Sequence, residues 1–143
     1  IYFKSYPLEQ WCNGRIHNNH HPGACWLALG LVCAQDQGKF EPFYKKVFGE
    51  DPPPDAKVPE MVKLATDAGL DGAAMETCLQ SDKANSTLAK QIDEAGRGEV
   101  EGTPTFFING KKLSHISLFL TVVDMEAQKA GFPPLMPRQA PPQ

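Results

Sequence analysis

The sequence of 143 residues lacks long hydrophobic runs, an excess of positive charge, internal repeats and closely spaced cysteines. No run approaches the roughly 18 apolar residues that a membrane-spanning helix needs. The first residues lack the basic region and apolar core of a secretory signal peptide. A formal net charge of −3 argues against nucleic acid or an acidic membrane surface as the main partner. The length is sufficient for one domain with a hydrophobic core.

No two of the four cysteines have Cys-x-x-Cys spacing, the arrangement that supplies an attacking and a resolving thiol within one helical turn. Cys25 follows Pro22 at the start of a predicted helix, near the positive end of its dipole, and Cys12 lies across a polar loop. We predict a structural disulfide between Cys12 and Cys25, because closing a loop of this length stabilises a protein by ~3 kcal/mol. The alternative is that Cys25 acts as a reactive thiol. Sequence alone does not choose among the three full pairings, and we expect Cys33 and Cys78 to be buried free thiols.

The same polar loop also contains residues that could bind a metal. Two thiolates and two imidazoles form a closed tetrahedral zinc site. The candidate ligands are Cys12, His17, His20, His21 and Cys25. Their spacing matches no compact zinc motif, and a disulfide would exclude the metal, so we predict no metal site.

Apolar spacing and turn residues predict mainly helices between two short strand regions. The predicted elements are a strand at 1–5, a loop at 11–23, helices at 24–34, 40–48, 58–68, 71–79 and 83–95, a hairpin at 105–113, and a last helix that Ser117 caps and Gly131 ends. Residues 132–143 hold five prolines and no apolar period, which is typical of an extended tail.

The most informative stretch is residues 102–110, Gly-Thr-Pro-Thr-Phe-Phe-Ile-Asn-Gly. Residues 105–108 are β-branched and aromatic, which predicts a buried strand. Residues 109–110 are Asn-Gly, which favours a type I′ turn and an antiparallel return at 111–113. Pro104 has no N–H for a strand ladder, so it must start the strand, and X–Pro is the bond at which cis is accessible.

This stretch resembles the cis-proline segment of the thioredoxin superfamily, and the longer match resembles the DsbA-like thiol–disulfide oxidoreductases. The resemblance implies that the Thr103–Pro104 bond is cis and that Thr103 and Pro104 bind a substrate peptide through the backbone. The alternative is a hairpin strand that merely begins with a proline.

The resemblance implies an α/β fold in which a thioredoxin-like core with a central mixed sheet carries a helical insertion between its second and third strands. Residues 1–131 would form the domain, with the core at 1–8 and 100–131, the insertion at 24–96, and a Pro-rich tail at 132–143. In that family a first strand, the Cys-x-x-Cys turn and a first helix precede the position of Ile1. We therefore expect an upstream segment, or a strand of another chain in an oligomer, to fill the place of the first strand.

By this resemblance, the chain is the portion of an oxidoreductase that follows the redox cysteines. It would contain no catalytic residue or cofactor, act on thiol- or disulfide-containing proteins, and lie in the periplasm or otherwise outside the cytoplasm. The alternatives are a redox-inactive peptide-binding module and a glutathione-dependent transferase or isomerase. Residues 12–25 also resemble the thioredoxin-like domains attached to vitamin K epoxide reductase homologues, which implies a membrane redox partner of that type.

Overall fold

The computed structural model describes residues 1–18, 21–49 and 57–135. The chain divides into two compact units, Ile1–Glu101 and Gly102–Gln143. The first unit is helical, and the second contains a two-stranded sheet followed by helix. None of the described helices is long and apolar enough to cross a membrane.

The described residues of the first unit form five helices, at the places where apolar spacing predicts them. They are α1 (Ala24–Asp36), α2 (Phe40–Gly49), α3 (Val58–Asp67), α4 (Gly72–Leu79) and α5 (Asp82–Arg97). Asp71 caps α4 as predicted, since its carboxylate accepts a hydrogen bond of 2.9 Å from the backbone N–H of Ala74. Ser81 caps α5 in the same way, through the N–H of Ala84.

Helix α1 is the centre of this unit and packs against the other four helices. Most of its residues are buried, as the nearly unbroken apolar sequence predicts. Gly30 permits a close approach of two helices: a Cβ there would lie 2.9 Å from Cζ of Phe43 in α2 and 3.2 Å from Sδ of Met61 in α3. Phe43 and Met61 are both fully buried at this point. Burial of one such side chain stabilises the fold by about 1.5–3 kcal/mol.

The expectation of free thiols at Cys33 and Cys78 is wrong, because these residues form a disulfide between α1 and α4. Their Cα atoms are 5.8 Å apart, within the usual range for a disulfide. Both residues lie on packed helix faces, and the apolar pattern that indicates burial contains no information on which helix faces which. A separation of 45 residues makes this bond worth about 4 kcal/mol in the chain-entropy model.

The predicted strand at residues 1–5 is also wrong, because these residues form no strand. The ring of Phe3 packs instead on Phe40 and Tyr44 of α2, with ring centroids 5.0 Å and 5.4 Å away. The backbone N–H of Ser5 donates to Oε1 of Gln91 in α5, at 2.7 Å. An aromatic run has a high β propensity, but here a helix face and a side-chain acceptor replace a neighbouring strand. Among the described residues there is accordingly no central mixed sheet.

The second unit begins with the predicted hairpin. Strands β1 (Phe107–Ile108) and β2 (Lys111–Lys112) are antiparallel, with Phe107 opposite Lys112 and Ile108 opposite Lys111. Asn109 and Gly110 have φ angles of 50° and 78°, as the Asn-Gly turn requires. The hairpin prediction is confirmed, but the strand is two residues long rather than four. It is not buried either, since Phe107 is 46% exposed.

A short 3₁₀ helix, Ile116–Leu118, leads into α6 (Phe119–Lys129). The predicted cap, Ser117, lies inside the 3₁₀ helix, and Nδ1 of His115 accepts from its N–H instead. Asp124 is the only buried residue of α6, and its carboxylate accepts from Nε2 of Gln128 and from the N–H of Leu135. Large apolar side chains of this unit stay exposed, among them Ile116, Leu118, Leu120, Met125, Phe132 and Leu135.

Candidate functional site

The predicted disulfide between Cys12 and Cys25 is present, and it ties the loop before α1 to the first turn of that helix. The two Cα atoms are 6.0 Å apart. Cys25 is the second residue of α1 and is fully buried, whereas Cys12 is half-buried. The two sulfur atoms therefore differ in their access to solvent.

Glu9 is the unexpected member of this site. Its side chain is buried, and its two carboxylate oxygens accept from the backbone N–H groups of Gly23, at 3.2 Å, and Cys25, at 2.9 Å. Gly23 has no capping side chain of its own and has a φ of 84°, in the left-handed region that favours glycine. Glu9 therefore caps α1 from another part of the chain. It lies 14 residues before Gly23, so no local capping pattern could have identified it.

Asn13 keeps the loop in place around the disulfide. It is fully buried; its Nδ2 donates to the carbonyl of Pro7 at 2.9 Å, and its Oδ1 accepts from the N–H of Arg15 at 3.2 Å. Trp11 and Trp26 are the sequence neighbours of Cys12 and Cys25, and the centroids of their rings lie 5.6 Å apart. At Asn13 the predicted polar loop is therefore packed rather than solvated.

This arrangement leaves the alternative zinc site without its two cysteine ligands. Cys12 and Cys25 would have to be thiolates to bind zinc, but they are joined in the disulfide. His17 and His21 are exposed, and His20 lies outside the described residues. Over the described ranges, no group of three or more potential ligand side chains comes together.

The second candidate region is the loop at Thr103 and Pro104, in the other unit. The Thr103–Pro104 peptide bond is cis, the isomer that the sequence resemblance implies. Both residues are exposed to solvent. Oγ1 of Thr105 donates to the carbonyl of Gly102 at 2.6 Å and closes the loop around the proline.

A groove of about 390 Å³ lies in the same unit, between the hairpin and α6. It is lined by Ile108, Asn109, Lys111, Lys112, Leu113, Ser114, Leu118, Val122, Glu126 and Lys129. Glu126 accepts from Lys129 at 2.6 Å and from Asn109 at 2.7 Å. The hydrogen bond from Lys129, and next that from Asn109, lowers the pKa of the Glu126 carboxyl. The lining of the groove therefore combines apolar side chains with three lysines and one glutamate.

Comparison with known proteins gives one match. The family model for the DSBA-like thioredoxin domain matches residues 22–127, a span that includes Cys25, Thr103 and Pro104 and begins after Cys12. No curated protein and no solved structure matches the chain.

Proposed function

Because the chain belongs to the DSBA-like thioredoxin domain family, we propose that it is part of a thiol–disulfide oxidoreductase that acts on thiol- or disulfide-containing proteins. The observation that carries this proposal is the family match over the helices and the hairpin, with the cis Thr103–Pro104 bond inside it. Helices and a small sheet in one chain agree with the α/β composition of such a domain.

In this proposal, Thr103 and Pro104 bind the substrate. Both are exposed, and the hydrogen bond from Thr105 to the carbonyl of Gly102 holds the backbone around them. The backbone N–H and carbonyl of Thr103 would pair with an extended peptide. A substrate bound in this way is recognised through its main chain, which suits an enzyme that acts on many proteins.

The redox cysteines of the proposed enzyme lie outside this chain. All four cysteines here are paired, at separations of 13 and 45 residues, and none of them forms a Cys-x-x-Cys motif. The gene sequence before Ile1 tests this point directly. A Cys-x-x-Cys some thirty residues earlier supports the enzyme, and a serine in place of its first cysteine supports the glutathione-dependent transferase.

Two disulfides in a chain of this size support a location in the periplasm or otherwise outside the cytoplasm, since the cytosol keeps thiols reduced. A membrane redox partner of the vitamin K epoxide reductase type remains a proposal that depends on the sequence resemblance of residues 12–25.

The second candidate function is a redox-inactive module that binds peptides. The groove beside the hairpin favours it, because a lining of apolar side chains and lysines suits an extended segment with acidic side chains. Absence of a redox cysteine pair from the full gene would make this the better description.

The substrate-binding role is tested in the full-length protein by replacing Thr103. Thr103→Pro removes the backbone N–H, and Thr103→Val keeps it as a matched control. If this N–H binds substrate, Thr103→Pro lowers kcat/KM for reduction of a protein disulfide about tenfold, the value of one hydrogen bond of ~1.4 kcal/mol. Thr103→Val stays near wild type. Equal activity of Thr103→Pro and wild type, with unchanged helical circular dichroism, would contradict the proposal.

A further inference from the structure

Glu9 places a carboxylate and a backbone carbonyl oxygen close to the Cys12–Cys25 disulfide. Its carboxylate binds the N–H of Cys25, and its backbone carbonyl oxygen lies 3.6 Å from Sγ of Cys25 and 4.0 Å from Sγ of Cys12. We propose that Glu9 is a positioning residue that slows thiol–disulfide exchange at this disulfide. The bond then stays oxidised when thiols are present in solution.

The direction of attack follows from burial. Cys25 is fully buried and Cys12 half-buried, so an incoming thiolate reaches Sγ of Cys12. Its sulfur forms a mixed disulfide with Cys12, the Cys12–Cys25 bond breaks, and the electron pair leaves on Sγ of Cys25 as a thiolate. With a dithiol reductant, the second thiol resolves the mixed disulfide, so the reductant is oxidised and the two cysteines are reduced by two electrons.

The rate of this exchange depends on the stability of the thiolate that leaves on Sγ of Cys25. A cysteine in the first turn of a helix normally has a stabilised thiolate, because free N–H groups and the helix dipole favour negative charge. At α1 the N–H groups of Gly23 and Cys25 already bind the Glu9 carboxylate. In the described part of the chain these two N–H groups are its only partners, so no cation offsets its charge. The helix start is thus occupied by an anion that repels the thiolate at Cys25.

The nearby carbonyl of Glu9 acts in the same direction. A carbonyl oxygen can accept a hydrogen bond from a protonated thiol at Cys25, but it offers nothing to a thiolate. After reduction, the site therefore favours the thiol, which is a poor leaving group in the forward reaction and a poor nucleophile in the reverse one. This inference is independent of the proposed oxidoreductase activity, because it concerns only the chemistry of this disulfide.

The first test measures reduction of each disulfide of the 143-residue chain by dithiothreitol, with alkylation and peptide mapping at successive times. In Glu9→Gln, which keeps the size of the side chain and removes its charge, Cys12–Cys25 should be reduced at least about threefold faster than in wild type. A lower pKa of the leaving thiol speeds exchange, and a Brønsted coefficient of about 0.5 in thiol exchange corresponds to a factor of about three per pKa unit. The Cys33–Cys78 disulfide serves as an internal reference, and Glu101→Gln, which changes an exposed carboxylate, is the charge control.

An unchanged rate for Cys12–Cys25 in Glu9→Gln would overturn the proposal. Equal acceleration of both disulfides, with loss of helical circular dichroism, would also overturn it, since Glu9 would then act only through packing.

The second test measures the pKa of the Cys25 thiol, which a change in packing alone does not shift. Cys12→Ser leaves Cys25 as the only free thiol, and absorbance at 240 nm follows its ionisation against pH. We expect a midpoint above the ordinary thiol value of about 8.5. The midpoint should fall by about one unit when Glu9→Gln is added. A midpoint at or below 8.5 in Cys12→Ser contradicts the inference even if the double variant does not fold.

Discussion

At the scale of single residues, a position in the first unit is most sensitive to substitution where neighbouring atoms leave no space for a larger side chain. Gly30 is the clearest case, because α2 and α3 both approach α1 where this residue has no side chain. The apolar periodicity of the helix identifies the buried face. It does not indicate that one position on that face must be glycine.

We expect Gly30→Ala to lower the free energy of unfolding by about 1 kcal/mol. The new Cβ would lie 2.9 Å from Cζ of Phe43, and overpacking of this kind costs about 1–3 kcal/mol. The gain in helix propensity from Gly to Ala offsets ~1 kcal/mol of this. Gly49→Ala, in α2 with nothing within 4 Å, is the matched control and should be neutral or stabilising. Urea denaturation measures both, and a Gly30→Ala protein at least as stable as wild type would contradict the prediction.

At the scale of elements, the two disulfides fasten α1 at both ends. Cys25 lies in its first turn and Cys33 near its end, and their partners are in the preceding loop and in α4. The helix at the centre of the first unit is thus covalently joined to segments that precede and follow it. Each disulfide reduces the conformational freedom of the unfolded chain by an amount that depends on the loop it closes.

We therefore expect the two disulfides to contribute unequally to stability. Replacing Cys33 and Cys78 by alanine opens a loop of 45 residues and should lower the free energy of unfolding by about 4 kcal/mol. Replacing Cys12 and Cys25 opens a loop of 13 residues and should cost about 3 kcal/mol. Urea denaturation of the two double variants compares them directly, and a larger loss for the shorter loop would show that native packing, rather than loop entropy, dominates.

At the scale of the whole molecule, the two units are unequally built. The first has a continuous buried cluster drawn from all five of its helices. In its described part, the second has a hairpin of two-residue strands and a helix with one buried residue, and several of its large apolar side chains are exposed. The expectation that an upstream segment or another chain completes a sheet here stays a prediction, as does the assignment of residues 1–131 to one domain.

The 143-residue chain alone should not catalyse reduction of insulin by dithiothreitol. Its cysteines form two disulfides between distant residues, and neither offers an attacking and a resolving thiol within one turn. The turbidity of precipitating insulin chains is the readout, with a thioredoxin-type enzyme as the positive control. Turnover comparable to that enzyme would show that one of these disulfides is itself redox-active.

The sequence by itself determined the features whose causes are local. The five helices of the first unit follow from apolar spacing and from caps such as Asp71, and the hairpin follows from Asn109 and Gly110. The segment around Pro104 was enough to indicate the family. A loop between Cys12 and Cys25 was short enough for a pairing to be predicted.

Only the tertiary structure decided the features that join distant parts of the chain. It paired Cys33 with Cys78, placed Glu9 on the start of α1, and packed Phe3 on α2 where a strand was predicted. In each case the sequence pattern indicates that a group is buried or apolar but does not specify its partner. The partner depends on how the helices pack together, which no local pattern contains.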